Sequence, residues 1–243
     1  MTAASSCGRW GSTCELRPLT KHRLLEVAPT RLVRWVDGFG ERHGRVEAEV
    51  GPETVVLTAD DGARAVLDVP WPPWSPPPTS EPSFVAGVLT RHAVVTRTLG
   101  LLLVRRGGWA LGTCRDGKLL VHKTGTRYVQ GQTAAGGTSQ HRYARRRSNQ
   151  ADALVLAVAE AAAARLVGLE LDGLVPAGDR ALVEGVLADP RLAAVSALPR
   201  APLLDVPDPR ATVLAEAANR ALAVRVHLTE PATAGAPAAR GTD

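Results

Sequence analysis

The sequence predicts an α/β protein, α+β overall, in which a mixed sheet carries helices on its faces and is preceded by a small αβββ unit. Three observations support this. Strand-like and helix-like apolar patterns alternate through the second half of the chain, a helix-period segment followed by three short β-like runs fills residues 29–70, and a proline run separates the two regions. A chain of 243 residues can build one large core or two smaller ones, and the proline run favours two. The expected organisation is a disordered extension (1–28), a small domain (29–70), a proline-rich linker (71–83), a main domain (84–230) and a disordered tail (231–243).

In residues 31–42, Leu32, Val33, Trp35, Val36 and Phe39 recur at three-to-four spacing and form one apolar helix face, with His43-Gly44 as the stop. Strands are expected at 46–50, 54–58 and 63–69, separated by Gly51-Pro52 and Asp60-Asp61-Gly62 turns. The prolines of residues 70–82 remove backbone donors and fix φ, which predicts an extended, polyproline-like spacer. Residues 100–104, 108–114 and 118–123 read as strands, the last two joined by a tight Arg115-Asp116-Gly117 turn. After a glycine-rich loop, the helical pattern runs from His141 to about Leu166, with Ala151, Leu154, Val155, Val158, Ala162 and Leu166 on its inner face. A strand (169–175), a helix (179–187), a strand (192–198), a helix opening on Pro209 (209–222) and a closing strand (223–228) complete the main domain.

Composition is that of an ordinary globular protein, 45% hydrophobic and 22% charged. No apolar run before Pro29 is long enough for a signal core, and no later stretch reaches the roughly 18 to 20 uncharged residues of a membrane span. A cytoplasmic monomer without membrane contacts is expected. Cys7, Cys14 and Cys114 have neither the even count of a disulfide framework nor metal-site spacing, and the six histidines are scattered. No metal or cofactor is expected.

The net charge of +5 is modest but unevenly distributed. Nothing from Gly117 to Ala151 is acidic, while acids gather between Glu170 and Asp189. Within the basic stretch, Gly131, Gly136 and Gly137 let the backbone approach a ligand closely. Arg142, Arg145, Arg146 and Arg147 occupy the first turns of the following helix, where the macrodipole disfavours each cation by roughly 0.3 to 1 kcal/mol. Phosphates arriving at that end would offset the repulsion, so an anionic partner is expected and RNA is the reading that fits. Lys123, Arg127 and Tyr128 enter from the other stem, with Tyr128 and Tyr143 placed either to stack on bases or to pack the loop onto the sheet.

The run Gly136-Gly137-Thr138-Ser139-Gln140, followed by Arg142-Tyr143-Ala144-Arg145-Arg146-Arg147, resembles the catalytic domain of archaeal and eukaryotic class-1 release factors, with their Gly-Gly-Gln tip and Arg-aromatic-Ala-Arg helix. From about Arg31 to Leu228 the chain is more similar still to the Vms-like release factor family of peptidyl-tRNA hydrolases, in its actinobacterial branch. That resemblance implies a main domain of the RNase H-like, translational-machinery type. It also implies a loop that reaches the CCA end of peptidyl-tRNA on the large ribosomal subunit, where a glutamine positions water at the ester carbonyl. A gapless match to Gly-Gly-Gln would put Thr138 at the glutamine position. Matching Thr138-Ser139-Gln140 to the Gly-Ser-Gln form of the family assigns the role to Gln140, with Gly136 and Gly137 shaping the tip and the arginines holding rRNA or tRNA phosphate.

An amide neither gains nor loses a proton near neutral pH, so Gln140 would orient water or the leaving 3′ oxygen rather than act as a base. Two rivals remain open at this point: a nuclease cutting tRNA near its CCA end, and a non-catalytic rRNA-binding protein that needs the arginines but not Gln140. A small-molecule enzyme has the least support, because no nucleophile, base and orienting group can be named together.

Overall fold

The computed structural model describes residues 21–126 and 139–231, and for residues 139–149 the backbone alone. Strand β1 (Lys21–Val27) leads through a single 3₁₀ turn into helix α1 (Leu32–His43). Its Leu32, Val36 and Phe39 are buried at the expected three-to-four spacing. Strands β2 (Val46–Val50), β3 (Thr54–Ala59) and β4 (Arg64–Asp68) form a meander in which Val46 faces Ala59 and Thr54 faces Asp68. Helix α2 (Pro82–Ala93) starts where the Glu81 carboxylate accepts hydrogen bonds from the amides of Ser83 and Phe84, with proline in the first turn, where its missing N–H costs nothing.

Strands β5 (Thr98–Arg105), β6 (Gly108–Arg115) and β7 (Lys118–Thr126) follow. The β6–β7 turn uses Asp116 at φ 52° and Gly117 at φ 75°, the left-handed pair that a two-residue hairpin requires. Helix α3 (Ser139–Leu166), strand β8 (Gly173–Gly178), helix α4 (Arg180–Leu187), a 3₁₀ turn running into the short helix α5 (Ala193–Ser196), helix α6 (Ala211–Arg220) and strand β9 (Val224–Glu230) complete the described chain.

Two sheets result. The first has the order β1-β9-β4-β3-β2 and is antiparallel throughout; the second has the order β7-β6-β5-β8, with β5 and β8 parallel across the α3 crossover. Parallel bridges from Leu174 to Arg200 and from Ala177 to Leu204 extend the second sheet beyond β8. Helices α1 and α2 cover one face of the first sheet. The second is covered on both: Leu102, Val104 and Leu111 pack with α3 and α4, while Leu99, Leu101 and Leu103 pack with α6. That two-sided burial is why β5 reads as an unbroken apolar run.

The mixed α/β class agrees with the sequence, but several elements do not. The extension expected over residues 1–28 contains β1, whose only buried residue is Val27; an edge strand with so weak an alternation gains its identity from β9, about 200 residues on. β9 was expected to close the main domain, and α2 lies at residues assigned to linker and main domain, yet both pack in the first core. In β9, Val224, Val226 and Leu228 are buried while Arg225 and His227 are not, a one-faced alternation suited to the half-covered sheet.

The proline segment is more than a spacer. Trp71 and Trp74 are 9% and 8% exposed and enter different cores. Trp71 Nε1 donates to the Ala221 carbonyl at 2.9 Å, Trp74 Nε1 donates to the Gly51 carbonyl at 3.0 Å, and His92 Nε2 donates to the Pro70 carbonyl at 2.8 Å.

The strand expected at 192–198 is the 3₁₀ turn and α5, nucleated by the Asp189 carboxylate accepting from the Arg191 amide ahead of Pro190. The strand expected at 169–175 begins at Gly173, after Asp172 accepts from the Thr98 amide at 2.7 Å.

Candidate functional site

β7 is the outer strand of the second sheet and leads into residue 127, twelve residues before α3 begins at Ser139. All of it is exposed except Leu119 and Gly125, which are half-buried. Trp109 on β6 faces Gly125 across the ladder, and its indole lies so close that a Cβ at 125 would stand 2.4 Å from Cε2. Only glycine fits there. Lys123 Nζ lies 6.0 Å from the Trp109 ring centroid, at the outer range of a cation–π contact, which anchors that cation beside the root of the segment.

On the other stem, α3 packs against β6 and α4, and among its described side chains the first to be buried is Leu154. Ser139 therefore lies about 22 Å along the helix from that anchor, at a rise of about 1.5 Å per residue. The helix starts two residues before the expected His141, so Gln140 belongs to its first turn rather than to a loop. Amides of a first turn have no intrahelical partner and point out of the positive end of the helix dipole.

Of the sequence-predicted site residues, Lys123 is placed on β7. Ser139, Gln140, Arg142, Arg145, Arg146 and Arg147 are placed by backbone in the first turns of α3. Arg127, Tyr128, Gly136, Gly137 and Thr138 lie outside the described residues. The two stems are brought to the same end of the second sheet, because β7 runs parallel to β5 and α3 returns towards the start of β8. Sequence reading missed Trp109 and Gly125. A tryptophan that falls opposite a glycine once β6 and β7 are paired through their tight turn is the signal that could have found them.

Burial pushes the Cys114 thiol up to about 11, so it stays protonated near neutral pH and is no nucleophile. Among the described residues no three His, Cys, Asp or Glu side chains gather closely enough to hold a metal, and no helix is long and apolar enough to cross a membrane. A cleft of about 450 Å³ opens between the sheets beside Trp71, Arg225 and the Glu26–Arg220 ion pair, but it includes no sequence-predicted site residue.

A family model described as the Actinobacteria/chloroflexi VLRF1 release factor matches residues 97–227. Among solved structures, the chain is similar to a Vms1 mitochondrial localization core at 12% identity and a TM-score of 0.34, over 81% of this chain and 80% of that one. No curated protein matches the chain.

Proposed function

The chain belongs to the Actinobacteria/Chloroflexi VLRF1 release-factor family, whose model spans more than half of it, and on that premise we propose that it hydrolyses the ester of peptidyl-tRNA on stalled large ribosomal subunits in the cytoplasm. The observation that carries the reading is the start of α3: Gln140 in its first turn, four arginines directly after it, and no acidic residue from Gly117 to Ala151.

Ester hydrolysis needs a water aligned on the carbonyl carbon and donors for the oxyanion that forms. The Gln140 carboxamide can accept from water and donate to the 3′ oxygen without changing protonation. Unpaired amides of the same first turn, at the positive end of a 28-residue helix, favour developing negative charge. Gly136 and Gly137 let the backbone pass close to the CCA end, Thr138 and Ser139 carry it to Gln140, and Tyr128 stacks on a base. Lys123, Arg127, Arg142, Arg145, Arg146 and Arg147 neutralise phosphates of tRNA or rRNA.

The test is Gln140→Ala in a purified assay with peptidyl-tRNA on large subunits. Subunit binding is retained and the hydrolysis rate falls about 10² to 10³-fold, the usual cost of one orienting group. Unchanged turnover rejects the assignment. Sequencing the 3′ end of the released tRNA discriminates the chemistry: an intact CCA end marks ester hydrolysis, a shortened one marks a nuclease.

A further inference from the structure

The β6–β7 ladder carries one irregularity. Thr113 faces Val121, but the next residue, Cys114, faces Leu119, leaving Leu120 as an extra residue in β7. Side chains alternate faces along a strand, so Lys118 and Lys123, five positions apart, would point to opposite faces of a regular one. The bulge changes that parity. Lys118 faces Arg115, Val121 faces Thr113 and Lys123 faces Leu111, and cross-strand partners share a face. This is the face on which Trp109 and Leu111 pack with α3.

Its outer margin therefore carries Lys118 and Lys123 on the same side of the sheet as the arginine-bearing helix, while Arg115 on β6 donates from Nε to Thr98 Oγ1 at 3.1 Å, towards β5. Between the lysines stand Leu120 at 57% and Val121 at 65% exposure. Asp116 lies in the turn two residues before Lys118, where it accepts from Thr96 Oγ1 at 3.5 Å.

Resting on the hydrolase reading above, we propose that this margin of β7 binds double-helical RNA, the acceptor stem of the substrate tRNA. The minor groove of an A-form helix is wide and shallow, lined by riboses and bordered by phosphates. Lys118 and Lys123 stand about 16 Å apart along the strand, two cations to meet phosphate with aliphatic side chains between them to lie on sugar. A protein strand added to the same edge is the weaker fit, because lysines and a bulge are what keep a sheet edge from pairing. The position also suits the stem, since β7 runs into the segment that reaches for the CCA end.

The experiment uses the full chain and a synthetic acceptor-stem hairpin ending in CCA, titrated at several salt concentrations. Lys118→Glu weakens binding at least tenfold and makes the log–log salt slope shallower by about 0.9; Val121→Ser weakens it several-fold with the slope unchanged. Lys21→Glu, the same charge change on exposed β1, leaves both as in the wild type. Hairpin affinity and slope unaltered by Lys118→Glu and Val121→Ser overturn the proposal. Loss of large-subunit binding with hairpin affinity intact also overturns it and assigns the surface to a ribosomal partner. If the hairpin binds through Lys118 but the wild type leaves peptidyl-tRNA intact, the hydrolase reading fails and this surface stands.

Discussion

The Trp109 indole crosses the backbone of Gly125 on the neighbouring strand, leaving no room for a methyl group at that position. Gly125 stands two residues before Arg127, so this contact fixes the end of β7 from which the chain leaves the sheet.

Gly125→Ala should drive Trp109 from its site. The overpacking is expected to cost about 1 to 3 kcal/mol in urea denaturation, with slower ester turnover as the end of β7 shifts. Wild-type values in both measurements would show that the indole has another site of equal energy.

Arg142, Arg145 and Arg146 fall at i, i+3 and i+4, positions that share one side of a helix. Arg145→Ala and Arg146→Ala are each expected to weaken large-subunit binding and flatten its salt dependence by roughly 0.7 to 0.9, whereas Gln140→Ala does neither. Sedimentation at several salt concentrations separates the two classes.

Trp71 joins the proline segment to the end of α6 through its bond to the Ala221 carbonyl. Trp71→Phe keeps most of the ring and loses the donor, for a loss of about 1 kcal/mol. Trp71→Ala also empties the site and should cost about 3 to 5 kcal/mol by chemical denaturation.

The Arg220 guanidinium donates to both oxygens of Glu26, at 2.7 and 2.8 Å, and holds its carboxyl below the usual glutamate value against the opposing effect of burial. A carboxyl lowered in the folded state stabilises above its unfolded pKa, and that contribution fades as pH falls through the lowered one. Glu26→Gln should therefore be less stable than wild type at pH 7, with the difference closing on acidification below the ordinary glutamate range. A gap that persists at acid pH would assign the loss to packing.

Much of the fold was legible locally. Leu32, Val36 and Phe39 announced α1, the run from Gly100 to Val104 announced a strand, and Arg115-Asp116-Gly117 announced a tight turn. Leu192 to Leu198 misled because an apolar run of that length fits a strand or a short helix, and the Asp189 cap with Pro190 decided it. β1 was illegible because its side chains are mostly exposed and its pattern carries little contrast.

By itself, the sequence determined the family signature at Gly136 to Arg147, the acid-free flank around it and the periodicity of the long elements, since those are properties of neighbouring residues along the chain. Tertiary structure alone decided that β9 returns to the first sheet, that Trp71 and Trp74 enter separate cores, and that a bulge turns Lys118 to the same face as Lys123. Each of these depends on which strand or core lies opposite. Local pattern reports which side of an element avoids water, while the partner that covers it is selected by packing across the whole molecule.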